Sequence, residues 1–61
     1  MKGTDLVKVT CYGTTTEMTR KAAIKEYRQA IRASEGSERD RYMNILMDLE
    51  DGKKECSDRD W

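Results

Sequence analysis

Chemistry at neutral pH calls for groups that trade protons or hold metals, and this sequence is poor in both. It has no His, which removes the commonest acid/base side chain and the commonest metal ligand. The two cysteines, Cys11 and Cys56, lie far apart in the chain. A closed zinc site wants four ligands, so these two would need Asp58 and another carboxylate, or a second chain. A stable disulfide is disfavoured in the cytosol. They read first as small hydrophobes in strands, with an oxidation-sensitive pair and a metal site as the alternatives. Asp48-Leu49-Glu50-Asp51-Gly52 has the look of a calcium loop. It fails the pattern, because its ligands fall out of register and no Glu closes it. There is no Gly-rich phosphate loop, and no base for a Ser or Cys nucleophile. The expectation is therefore no enzyme, no cofactor and no metal.

What remains is charge. The net charge is zero, yet residues 1–34 carry seven Lys/Arg against three Asp/Glu, a balance of +4, and residues 35–61 carry five against nine, a balance of −4. The basic set is Arg20, Lys21, Lys25, Arg28 and Arg32. The acidic set is Asp48, Glu50, Asp51, Glu55, Asp58 and Asp60. Such a split orients a partner, or it is two solvated faces that offset one another.

These side chains need elements to position them. Leu6–Tyr12 is rich in β-branched residues and reads as a strand, with Val7, Val9 and Cys11 on one face. Gly13 and the threonines Thr14, Thr15 and Thr16 read as a turn. A helix over about 19–35 follows, with Thr19 as N-cap or Thr14 and Glu17 as an alternative capping box. Ala23, Tyr27, Ala30, Ile31 and Ser34 recur along it at helical spacing. Its other face is the basic set. Gly36 reads as the left-handed stop, and Ser37 with Asp40 as the start of a second helix over about 38–51. There Tyr42, Ile45, Leu46 and Leu49 make a core stripe, and Gly52 ends it. So short a connection demands an antiparallel helix hairpin.

A strand cannot leave its backbone groups unpaired. The expectation is that the tail returns as a short strand over about 54–57. The fold class is then α+β: a single β-α-α-β domain with the hairpin packed on a two-stranded sheet. Strand pairing between two copies is the rival solution. Tyr27, Ile31, Ile45, Leu46 and Leu49 should pack between the helices, with Val7 and Val9 closing the far side. Met43 and Met47, one turn apart, border the stripe. They either widen the core or meet a partner.

At 61 residues, 36% apolar and 39% charged, the chain is one small domain with little surplus from which to build a cleft. No apolar run is longer than Ile45–Met47, far short of the ~20 residues of a membrane helix. Met1-Lys2-Gly3-Thr4-Asp5 lacks the apolar stretch of a signal peptide. The expected setting is cytoplasmic, with no membrane contact. A helix-turn-helix reading fits poorly. The second helix would offer Glu38 and Asp40 to the phosphates at its docking tip.

The run Met18-Thr19-Arg20-Lys21-x-Ala23-Ile24-x-x-Tyr27, then Ser34-Glu35-Gly36-Ser37-Glu38-Arg39-x-Arg41-Tyr42-x-Asn44-Ile45, then Gly52 and Cys56-Ser57-Asp58, resembles a group of small proteins of unassigned function. They are encoded on conjugative elements and prophages of Gram-positive gut bacteria. The resemblance implies a mobile-element accessory protein in a bacterial cytoplasm and supplies no catalytic residue. Proteins from such elements include inhibitors of host defence, anti-CRISPR proteins among them.

The expected function is thus a small protein-binding inhibitor, monomeric or dimeric, directed at a host protein such as an RNA-guided nuclease complex. Its contact would be Asp48, Glu50, Asp51, Glu55 and Asp58, with Met43 and Met47, the acids standing in for phosphates. The alternative is a nucleic-acid-binding accessory of transfer or transcription. It would use Arg20, Lys21, Lys25, Arg28 and Arg32.

Overall fold

The computed structural model describes residues 4–58. The elements run β1 (Leu6–Cys11), β2 (Thr14–Thr19), α1 (Arg20–Ala33), α2 (Gly36–Glu50) and β3 (Glu55–Ser57). The α+β class and the helix hairpin are as expected, and the sheet has one strand more. It is three-stranded and mixed, in the order β2-β1-β3. The threonine run is the extra strand. β2 pairs antiparallel with β1 from Leu6↔Thr19 to Cys11↔Thr14, and the turn shrinks to Tyr12 and Gly13. Both take positive φ, 53° and 78°, the geometry of a type I′ turn whose twist matches the flanking strands. Gly13 adopts it freely. Tyr12 does so at a cost of roughly 1–2 kcal/mol.

The tail does return. β3 lies parallel to β1, with Lys8↔Glu55, Val9↔Cys56 and Thr10↔Ser57 in register. Val7, Val9 and Cys56 therefore face the helices together. With Ala23, Ile45 and Leu49 they form the buried core, and Cys11, Met18, Ile24, Tyr27 and Tyr42 pack around it. Leu46 and Ile31 are only half-buried and stand outside that cluster. Leu46 is one residue round the helix from Ile45, which turns it toward α1 and the outer surface.

Thr19 caps α1 as expected, its Oγ1 accepting from the Ala22 N–H at 3.3 Å. The other boundaries shift. Ser34 rather than Gly36 closes α1. Gly36, left-handed at φ +64°, instead opens α2, and Glu35 rather than Ser37 is the N-cap, without a side-chain bond. At the far end Gly52 N–H donates to Leu49 O and Lys53 N–H to Asp48 O. That is a Schellman pair, made possible by the positive φ of Gly52 (90°). Contacts along their length show that the helices are antiparallel: Arg20 at the start of α1 meets Leu49 near the end of α2, and Tyr27 meets Tyr42 nearer the connection.

Arg20 departs most from the sequence reading. Its side chain is 2% exposed, not part of a solvated basic face. On α1 it shares the inward stripe with Ala23 and Tyr27, at i, i+3 and i+7. Its Nε and Nη2 donate to the Asp5 carboxylate, Nη2 at 2.7 Å. Nη1 donates to Leu49 O at 2.6 Å and Nη2 to Gly52 O at 3.3 Å.

Two leucines one turn apart test the facing of α2. Leu49→Ala should cost ~2–5 kcal/mol, the range for emptying a closed core site. Leu46→Ala should cost ~1 kcal/mol, as for a half-buried position. Thermal melts of both variants check this, and equal losses would show the facing to be misjudged.

Candidate functional site

The acids chosen from sequence do not form one surface. Asp58 points inward at 6% exposure. Its Oδ2 accepts the Tyr12 N–H at 2.9 Å and Arg41 Nη1 at 2.7 Å, and its own N–H donates to Thr10 O. The Tyr12 N–H, seconded by the Arg41 guanidinium, holds its carboxyl below the ordinary range against the opposing effect of burial. It is a strut and not a contact residue, and so leaves the candidate acidic surface. Asp48 is half-committed. It accepts from Lys53 Nζ and from the Ser57 N–H, each at 3.4 Å. Glu55 lies on β3 opposite Lys8, away from the helices. Asp60 lies outside the described residues.

Glu50 and Asp51 remain, both exposed at the end of α2. Met43 and Met47 stand beside them, 40% and 65% exposed. At 100° per residue Asp40, Met43, Met47, Glu50 and Asp51 share the outer face of α2, with Ile45 and Leu49 on its inner face. Met47, Asp48, Glu50, Asp51 and Lys53 line a shallow depression there. So the structure joins the methionines to Glu50, Asp51 and part of Asp48, and separates Glu55 and Asp58 from them. Asp40 was missed as part of this face. Its 3.6-residue phase against Met43 and Met47 was the available signal.

The basic set divides in the same way. Arg20 is internal, while Lys21, Lys25, Arg28 and Arg32 are exposed within a narrow arc of α1. They line a depression with Ile24 and Gln29. Arg28 reaches Glu50 at 3.3 Å, so the two outer faces adjoin. A second cluster that sequence reasoning missed lies near the hairpin turn. There the Arg41 guanidinium sits 4.4 Å from the centre of the Tyr12 ring.

The reactive side chains are quiet. Cys11 and Cys56 are both free, and burial pushes their thiols up, away from the thiolate that would react. Burial likewise pushes Tyr27 and Tyr42 up to about 12. Among the described residues no group of three or more His, Cys, Asp or Glu is placed to hold a metal ion. No helix there is long and apolar enough to cross a membrane. Compared with protein-family models, curated proteins and solved structures, the chain matches none.

Asp5 and Asp58 make stability depend on acid. The hydrogen bond from Arg20 holds Asp5 below its ordinary 3.8, and Asp58 is lowered likewise. A carboxyl depressed in the folded state stabilises fully above its unfolded pKa, and that gain drains away as pH falls through the folded value. A pH series of melts should therefore be flat in these two groups near neutrality and fall below about pH 4. Asp5→Asn and Asp58→Asn should be less stable at pH 7 and should lose less on acidification.

Proposed function

We propose that the protein is a non-catalytic binding module whose contact surface is the outer face of α2, directed at a basic surface on another protein. The observation that carries this is the exposed pair Met43 and Met47. They are two large, adaptable side chains left in water on a helix whose inner face already closes the core through Ile45 and Leu49. Methionines of this kind mould to a partner's apolar groups. Asp40, Glu50 and Asp51 around them supply charge that favours Lys and Arg, and the carbonyl end of α2 adds to that field.

An inhibitory role fits the reading where the partner's basic surface is its nucleic-acid channel. That is the kind of target the resemblance to mobile-element proteins implies. The acids offered would then be Glu50, Asp51 and Asp40, not the wider set read from sequence.

A second reading has its own observation, the four exposed cations in one arc of α1. Lys21, Lys25, Arg28 and Arg32 extend over three turns, a spacing that suits successive phosphates of a nucleic acid. Both readings predict weakening with salt, so salt alone does not separate them.

The separating experiment is a binding series against a candidate RNA-guided nuclease complex and against bare single- and double-stranded DNA. Met47→Glu and Asp51→Lys should each weaken capture of the protein target about tenfold or more. Such a loss is ~1.4 kcal/mol or more, and the melting temperature should barely move. Arg28→Glu with Arg32→Glu should leave it nearly unchanged. The reverse ranking, with DNA bound and the arginines critical, would replace this function with the second.

A further inference from the structure

The open edge of β2 carries an assignment of its own. Lys8 N–H donates to Lys54 O and Asp58 N–H to Thr10 O, so Lys8 and Thr10 of β1 turn their backbone groups toward β3. Strand groups alternate, and Val7, Val9 and Cys11 therefore turn toward β2. Across the ladder Thr14, Thr16 and Met18 answer them. Thr15 and Glu17 must point their N–H and C=O groups the other way, where no strand of the described residues lies. This edge is six residues long, with an unbroken register and no proline. Its one charge, Glu17, stands opposite Lys8. Natural edges of this length are normally blunted by bulges, prolines or lysines. This one has none of them.

We infer that the β2 edge pairs antiparallel with the β2 edge of a second copy, making a six-stranded sheet about a two-fold axis. The register follows from the same alternation. Residues opposite one another must share a face, which leaves Thr16 or Glu17 on the axis as the two longest overlaps. Glu17 on the axis would set two carboxylates directly opposite, which is unfavourable. Thr16 on the axis pairs threonine with threonine. It also sets Thr15 of each copy against Glu17 of the other, the two residues whose backbone groups point outward.

The second layer accommodates the same symmetry. α1 packs on β1 and β2 and α2 on β3, so the α1 flank turned away from α2 lies above the open edge. Tyr27 and Arg28 face α2. The opposite flank is Ala22, Glu26, Gln29 and Ala33, all exposed and lacking Lys or Arg. With α1 over the gap between β1 and β2, the two α1 axes would lie about two strand spacings apart, roughly 10 Å. That is an ordinary helix-packing distance, and short side chains permit it. The contact of five paired residues and one helix flank is small beside the ~800 Å² per partner of a standard interface. The dimer is accordingly weak. It leaves the outer faces of both helices free.

Glu26 gives the geometry a distinctive signature. The axis passes Thr16, about 10 Å along β2 from the start of α1, which is six or seven residues into a helix rising 1.5 Å per residue. That brings Glu26 near its own counterpart. Sedimentation velocity over a range from low to high micromolar protein tests the pairing. The wild type should pass from monomer to dimer. Glu26→Gln should move the transition several-fold lower in concentration, since it removes a like-charge approach. Thr15→Pro removes an outward donor without touching the β1 ladder and should keep the protein monomeric. Thr16→Lys, which sets two cations on the axis, should do the same should the proline variant fail to fold. A wild type that stays monomeric throughout would overturn the assignment. So would a dimer that survives Thr15→Pro and Thr16→Lys, or one that Met47→Glu dissolves instead.

Discussion

A guanidinium taken out of water must be given hydrogen-bond partners on every side, and Arg20 meets that demand with three parts of the chain. Asp5, just before β1, supplies the carboxylate. The end of α2 supplies Leu49 O, which also accepts the Gly52 N–H, and the turn beyond it supplies Gly52 O. Arg20 itself begins α1. One side chain thus fixes where the sheet starts, where α1 leaves it and where α2 must stop. It also changes the meaning of the acidic end of α2. Asp48, Glu50 and Asp51 crowd a helix C-terminus with no basic residue in its own last turn. Taken alone this opposes the helix dipole. The compensating cation comes from another helix.

The other end is closed by the same logic with the signs exchanged. Here the buried group is the carboxylate of Asp58, and its partners are the Tyr12 N–H and the Arg41 guanidinium. This explains how Tyr12 tolerates a left-handed backbone. Its N–H is held from below, and its ring carries the Arg41 guanidinium on one face, a contact of about 0.5–1 kcal/mol at an exposed site. The hairpin turn, β3 and the middle of α2 are joined through two side chains. A core of six buried apolar residues among those described has little room to specify its own edges. The two ion pairs do so, one at each end of the sheet.

Those pairs also mark where the sequence is hardest to read. β1 was legible because Val7, Val9 and Cys11 alternate, and the helices because Ala23, Tyr27, Ile45 and Leu49 recur at helical spacing. β2 was not, since Thr14–Thr19 shows no alternation. Only Met18 on its inner face joins the core, and Tyr12-Gly13 lacks the Asn-Gly signature of a type I′ turn. Arg20 and Asp58 were assigned to solvent because charge patterning sorts ions outward by default. Their burial depends on partners 15 and 17 residues away in sequence, which no local pattern displays. The candidate site fared in proportion. Met43 and Met47 were found by periodicity. The acids were chosen by charge alone, which does not tell the exposed Glu50 and Asp51 from the internal Asp58.

In so small a domain, function is confined to what the interior leaves over. The inner faces of both helices, one face of the sheet and two of the acids are spent on folding. The outer face of α2 is one such remainder. Its backbone is already fixed by the helix and by Arg20 below it, so a partner need not order any segment of chain. The methionines on that rigid support keep their own rotamer freedom until contact. A rigid frame limits the entropy lost on binding, while flexible, polarisable side chains let one short helix fit an uneven basic surface. In the proposed contact, this division of labour would let the outer face of α2 recognise a partner without a pocket.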